Sequence, residues 1–297
     1  MGIEPVMQHQ QGVALITGAS SGIGKATASL LATSGFRVFG TSRKPEAETG
    51  QPYELVPLDV RSDASVHSAV QSILDRAGRI DLLVNNAGYP QAGAIEENSV
   101  ADVQAQFDTN VFGVLRVTNA VLPIMRRQRS GRIINVSSLL GQVAPPFLGV
   151  YASSKFALEG LSEALRRELR PFNIHVSLIE PAFAHTSFVG QGPSQPIADY
   201  DAARRAVLAF ARQGVERGMD ATDVAQQSVI FHHTSHMCAS AVMSVPRAAP
   251  TRVFLMRLAV ACGWRPNTVP MSSAWSVRWW ITCARTWFRS ARGIVAE

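Results

Sequence analysis

A doubly wound parallel α/β sheet is the fold class this sequence predicts, and three observations carry it. Short apolar runs recur at residues 13–16, 37–40, 54–58, 82–84, 132–136 and 175–179. Longer stretches with helical apolar spacing separate them, and a glycine-rich turn joins the first run directly to a helical pattern. Runs this short and apolar belong to strands covered on both faces, and helices between them make the strands parallel.

The first run leads into Thr17-Gly18-Ala19-Ser20-Ser21-Gly22-Ile23-Gly24. Gly18, Gly22 and Gly24 let the backbone turn sharply and approach a pyrophosphate. The amides of Ser20, Ser21 and Ile23, with the positive end of the helix, would meet its charge. A plain strand-to-helix turn is the alternative; the place of this turn after the first strand of an alternating pattern favours the nucleotide. The second run is followed by Thr41-Ser42-Arg43-Lys44. An acid at this point would grip ribose hydroxyls and repel a 2′-phosphate, but two cations stand there instead. Arg43 can take a phosphate in a bidentate contact, which favours NADPH and leaves NADH as the weaker option; a solvated loop is the alternative reading.

The third run ends at Asp59, whose carboxylate can accept from an adenine amino group. Ser62 and Asp63 cap a helix that extends to Ala77, with Val66, Val70, Ile73 and Leu74 on one face and Gly78 closing it. The fourth run ends in Asn85-Asn86-Ala87-Gly88, a polar turn open to a flat base or ribose, or turn chemistry alone. A helix is expected from about residue 99 to 127, with Phe107, Val111, Val114, Leu115, Thr118 and Leu122 on its apolar side. After the fifth run come Ser137-Ser138 and then Tyr151-Ala152-Ser153-Ser154-Lys155. Tyr151 and Lys155, at i and i+4, share a helix face, so the ammonium can stabilise the phenolate and lower the tyrosine from about 10, which makes it a usable acid or base. That helix stops at Pro171, which cannot continue the ladder.

Taken together, Gly18, Gly22, Gly24, residues 85–88, Asn110, Ser138 and the Tyr151/Lys155 pair closely resemble the short-chain dehydrogenase/reductase family, over about residues 12–187. The resemblance implies a Rossmann fold and an enzyme acting on CH–OH groups with NADP(H). It gives Tyr151 the proton exchange with the substrate oxygen, Ser138 the orientation of the carbonyl, and Lys155 the tuning of Tyr151 and a hold on the nicotinamide ribose. Asn110 resembles the asparagine that positions a water in a proton relay. Asn86, Ala87, Gly88, Pro181 and Thr186 fall among the cofactor-binding positions, Thr186 near the carboxamide. Ala182 stands where the family has glycine, and would be strained if that backbone needs a positive φ. Residues 187–221 are expected to form a lid with a helix at 200–217, Phe188, Tyr200 and Phe210 lining an apolar pocket. The resemblance also implies a hydrophobic alcohol or ketone such as a retinoid or hydroxysteroid, and a homodimer or homotetramer paired through the long helices. The rival of another class is a cofactor-binding protein with little turnover, a sensor or a defective paralogue.

Composition bounds the remainder. A chain of 297 residues at 46% apolar is not disordered, and no run approaches the roughly 18 apolar residues of a membrane span. With no signal-peptide layout at residues 1–12, a cytoplasmic protein is expected. The formal charge of +6 is unevenly placed: residues 1–223 carry 20 basic and 21 acidic side chains, whereas residues 224–297 carry 8 arginines and one acid, Glu297. Nucleic-acid binding therefore loses its support. All three cysteines and all five tryptophans also lie beyond residue 223. The sequence thus divides into an N-terminal extension (1–11), a dehydrogenase domain (12–223) and an atypical Arg/Trp-rich tail (224–297). For that tail three readings compete: an amphipathic stretch at 276–292 on anionic membrane, a metal site at His232, His233, His236 and Cys238, and a change of reading frame near residue 224, which accounts for most of its composition. No metal is expected, and 251–255 is the candidate for a closing strand.

Overall fold

The computed structural model describes residues 12–45, 50–186, 190–233 and 240–243. Nine strands and seven α-helices alternate along them: β1 (Val13–Ile16), α1 (Gly22–Thr33), β2 (Arg37–Ser42), β3 (Glu54–Pro57), α2 (Asp63–Ala77), β4 (Leu82–Asn85), α3 (Val100–Phe107), α4 (Gly113–Gln128), β5 (Gly131–Val136), α5 (Gly149–Glu168), β6 (Ile174–Pro181), β7 (Ala184–His185), α6 (Asp201–Glu216), β8 (Met219–Asp220), α7 (Ala221–His233) and β9 (Ser240–Met243). Seven strands form one sheet in the order β3-β2-β1-β4-β5-β6-β9, and every pairing is parallel. The expected doubly wound sheet is the fold observed. The chain winds outward from β1 in one direction and then from β4 in the other, so the order reverses between β1 and β4. A crevice opens there at the strands' carboxyl ends.

Successive side chains of a strand point to opposite faces, and β1 shows it: Val13 and Leu15 pack on one side, Ala14 and Ile16 on the other. The first face is covered by α2 and α4, through Val66, Val70, Ile73, Val117 and Val121; the second by α1 and α7, through Ala28, Leu31 and Val224. Strands covered on both sides need no polar residues, which is why the sequence shows them as continuous apolar runs.

The helix ends follow from local chemistry. Ser62 accepts a hydrogen bond from the Ser65 amide at 3.2 Å, and Gly78 closes α2 in the left-handed conformation at φ +72°. The helix expected from 99 to 127 is interrupted: one turn of π-helix at Asp108–Phe112 separates α3 from α4. The apolar spacing on either side hides this, since an extra residue in a turn leaves only a small phase shift.

Two features near the end of the domain depart from the sequence reading. The seventh strand is β9, paired with β6 from Leu178↔Ser240 to Pro181↔Met243, whereas 251–255 lies outside the described residues. The expected boundary at residue 223 falls inside α7, where Val224 and Ala225 are fully buried against the α1 side of the sheet. The candidate metal cluster and the 276–292 stretch lie outside the residues whose side chains are described. Among the described residues no helix is long and apolar enough to cross a membrane, and no group of His, Cys, Asp and Glu has the arrangement of a metal site.

A chain cut after Asp223 loses those two side chains and the β9 edge. Burial of Val224 and Ala225 alone is worth about 3 kcal/mol. Thermal unfolding of the cut chain, followed by circular dichroism, is expected at least about 6 °C below that of the full chain.

Candidate active site

At the switch point Thr17 joins two loops. Its hydroxyl accepts from the amides of Asn86 (2.9 Å) and Ala87 (3.0 Å), and the Asn86 side-chain amide donates to the carbonyls of Thr17 (2.9 Å) and Gly18 (3.1 Å). Asn86 thus braces the glycine turn, and backbone from the Ala87-Gly88 segment lies beside it. Gly18 holds φ +67°, and a Cβ there would stand 3.0 Å from the Ala87 Cα; one on Gly24 would collide with the Gly18 carbonyl and the Asn86 amide. Gly22, at φ +53°, faces Thr186 across the crevice, at 3.3 Å from where its Cβ would be. The loop after β6 therefore brings Thr186 against the glycine turn.

The N-terminus of α1 differs from those of α2 and α3 and, like that of α5, has neither a side-chain cap bond nor an acid in its first turn. Ser62 caps α2 and Ser99 caps α3, each with an acid in the first turn. Ser21, the N-cap of α1, makes no side-chain cap bond, and the first turn of α1 has no acid. The first amides of α1 are thus left by the chain's own side chains to meet an anion at the positive end of the helix dipole. Ser20, Ser21 and Ile23 lie in this turn.

The end of β5 and the first turns of α5 make the second half of the site. The Lys155 ammonium donates to the Val136 carbonyl at 2.8 Å and lies 5.7 Å from the centroid of the Tyr151 ring. Ser138 shares a hydrogen bond with the Tyr151 phenol, accepts from the Leu140 amide (3.1 Å) and donates to the Pro181 carbonyl (3.4 Å). Asn110 sits in the π turn, 1% exposed, its Oδ1 accepting from the Tyr89 amide (3.2 Å) and its amide donating to the Tyr89 carbonyl (3.0 Å) and to Ser154 Oγ (3.3 Å). Ser154 in turn donates to the Tyr151 carbonyl at 2.7 Å, so Asn110 is tied to the helix that carries Tyr151. Ser138, Tyr151, Lys155 and Asn110 are thus gathered in one place.

Their protonation corrects one expectation. Tyr151 is not lowered: burial pushes it up to about 12, against the opposing hydrogen bond from Ser138. Burial also pulls Lys155 down to about 8, opposed by the charge of Glu159. The i, i+4 spacing puts the two side chains on one face, but desolvation disfavours both charged forms. In the chain by itself the phenol is a proton donor.

Arg43 follows the end of β2 and is exposed. Asp59, expected at the adenine, is gripped by Arg61 through 2.8 and 3.1 Å contacts, and that hydrogen bonding lowers its carboxyl to about 2. Only part of its acceptor capacity is left for a base. Ala182 is not among the residues with positive φ, so glycine's freedom is not needed there.

The helix expected over 200–217 is α6. Its foot is latched by Glu97, fully buried, whose carboxylate accepts from the amides of Ala94 (2.8 Å) and Ile197 (2.9 Å) and pairs with Arg204. Tyr200 reaches Glu96 with its hydroxyl and meets Phe147 edge-on at 5.9 Å, while Phe210 meets Phe183 at 6.1 Å. Tyr200 and Phe210 thus stand in aromatic pairs along α6; Phe188 lies outside the described residues. The sequence reading missed Thr17, Ser154, Glu97 and Arg204. Thr17 was visible as the residue opening the glycine turn, but Glu97 and Arg204 are joined only by the fold.

A family model for short chain dehydrogenase matches residues 12–196. Over 182 residues the chain is 48% identical to 3-ketodihydrosphingosine reductase of Bacteroides thetaiotaomicron, covering 61% of this chain and 66% of that one. Over 238 residues it is 38% identical to 17-beta-hydroxysteroid dehydrogenase type 1 of Mus musculus, covering 74% and 69%. The matches therefore span about two thirds of each relative. A crystal structure of a short chain dehydrogenase/reductase from Burkholderia phymatum, in complex with NAD, superposes with TM-score 0.67 at 29% identity, covering 77% of this chain and 90% of that one. Sequence motifs, fold and site agree with these matches, and the chain belongs to the short-chain dehydrogenase family.

Proposed function

We propose that this protein is an oxidoreductase that moves a hydride between NADP(H) and the CH–OH or carbonyl carbon of a hydrophobic alcohol or ketone. The observation that carries the reading is the meeting of Ser138, Tyr151 and Lys155 at the end of β5, beside a glycine turn whose helix lacks side-chain caps. That turn would suit a dinucleotide: Gly18 and Gly24 let it pack tightly on Ala87 and Asn86, and the amides at the start of its helix, with no side-chain cap, are suited to an anion. When bound, the nicotinamide supplies the hydride chemistry. The amides from Gly18 to Ile23 would hold the pyrophosphate, Arg43 a 2′-phosphate, Asp59 and the Asn86-Ala87-Gly88 turn the adenosine side, and Tyr151, Lys155, Pro181 and Thr186 the nicotinamide side.

The substrate oxygen is held by the Ser138 hydroxyl and receives its proton from Tyr151, whose phenol stays protonated at neutral pH. A buried donor suits carbonyl reduction. Lys155, pinned to the Val136 carbonyl, supplies the positive charge that the phenolate needs once the proton has left. Asn110 holds the Tyr89 segment against α5 and would position a water behind Lys155. The aromatic pairs at Phe147/Tyr200 and Phe183/Phe210 favour an apolar substrate, and the names of both relatives, for a ketodihydrosphingosine and a hydroxysteroid, agree with it. Phe112 and Phe156, exposed at 47% and 45%, support pairing of two copies through α4 and α5.

Two substitutions test the reading in steady-state assays of NADPH oxidation with apolar ketones. Tyr151→Phe is expected to cut kcat by at least about a hundredfold, while NADPH fluorescence titration shows that the variant still binds the cofactor; full turnover refutes the role of Tyr151. Arg43→Asp is expected to lower the NADPH/NADH ratio of kcat/KM by more than about tenfold, and an unchanged ratio refutes the charge argument.

A further inference from the structure

Three consecutive residues at the end of β5 are each tied to a different residue along one face of α5. The Val136 carbonyl accepts from Lys155, the Ser137 hydroxyl donates to Glu159, and Ser138 bonds with Tyr151. Two of these ties belong to the chemistry already described. The third does not: Glu159 stands at i+4 from Lys155 and i+8 from Tyr151, so it extends the catalytic face by one turn. Its seat is close-fitting. A Cβ on Gly141 would stand 2.9 Å from Glu159 Cγ and Oε1 and 3.0 Å from Ser137 Oγ, so only glycine leaves room for the contact.

We propose that Glu159 is a positioning residue of this site: it is the counter-charge that keeps Lys155 an ammonium, and it holds Ser137 so that its neighbour Ser138 faces Tyr151. The inference rests on the oxidoreductase reading above and deepens it. The groups facing Glu159 are Lys155 on its own helix, Ser137 at the end of β5, Gly141 in the short turn after it, and Glu180 on β6, which is 1% exposed. The next acid along α5, Glu163, is occupied by Arg166 and Arg167. Burial and then the Glu180 charge raise Glu159 to about 7, with Ser137 and Lys155 opposing. Glu159 therefore gains its charge as pH rises through neutrality. Its anion raises Lys155, which burial alone would push lower. Loss of that anion makes Lys155 shed its proton at lower pH.

The test is the pH profile of kcat for NADPH-dependent reduction of an apolar ketone, measured for the wild type, Glu159→Gln and Tyr151→Phe. The wild type is expected to be flat on the acid side, where Lys155 keeps its proton whatever the charge of Glu159, and to fall through about pH 8 as Lys155 loses it. Glu159→Gln removes the charge at nearly constant shape. Its alkaline limb should move down by about one pH unit, a loss of about tenfold at the alkaline end, with the acid side unchanged. A profile that superposes on the wild type, or is lowered by one factor at every pH, overturns the proposal. Gly141→Ala keeps the charge and displaces the contact, so the alkaline limb should stay while kcat falls several-fold and KM for the ketone rises; unaltered constants overturn the anchoring half. Should Glu159→Gln not fold, judged by circular dichroism and NADPH binding, Glu159→Asp replaces it. That variant should keep the wild-type alkaline limb at lowered kcat, and a wild-type kcat overturns the proposal. An active Tyr151→Phe would instead sink the underlying assignment, whatever Glu159 does.

Discussion

A lysine ammonium inside the protein, bonded to the carbonyl of the last residue of a central strand, is the contact on which the site depends. The Lys155 to Val136 bond, 2.8 Å long, fixes α5 against the carboxyl end of β5. A buried cation is costly unless it is bonded, so the chain must keep the carbonyl and an anion within reach. Burial raises the phenol beside it and lowers the ammonium, which separates a proton donor, Tyr151, from a charge held in reserve, Lys155. Those opposite directions have one cause. A more exposed pair would have neither the protonated phenol nor the focused charge.

The rest of the architecture brings other loops to that contact. Parallel strands put all their carboxyl ends on one edge, and the reversal of strand order between β1 and β4 leaves room there for a ligand. Thr17 and Asn86 lock the glycine turn to the end of β4, and the segment after β6 carries Thr186 across to Gly22. The foot of α6 is fastened by a fully buried acid, Glu97, which satisfies two backbone amides and Arg204 together. Its carboxylate is well bonded, so the burial of its charge is offset locally.

Much of this was legible in the sequence for identifiable reasons. Strands buried on both faces have apolar runs with sharp ends, and Ser62 and Gly78 mark α2 because cap chemistry is local. The order of Gly18, Gly22, Gly24, Ser138, Tyr151 and Lys155 was enough to name the family. What stayed hidden depends on contacts between distant residues or on solvent. The π turn that holds Asn110 is a change of one residue in hydrogen-bond register, which the apolar spacing tolerates. The direction of the Tyr151 shift turns on burial, which spacing on a helix does not reveal. The strand β9 follows α7 across a change of composition, so a search for compositional continuity passes over it.

The central claim is that Tyr151 and Lys155 serve the transfer of a hydride to a carbonyl carbon. The most direct measurement uses NADPH carrying deuterium in both C4 positions and an apolar ketone that the full chain reduces, with mass spectrometry of the alcohol formed. The account predicts one deuterium on the carbinol carbon of every product molecule. An alcohol without deuterium, or no reduction of any apolar ketone by a folded chain that binds NADPH, would contradict it.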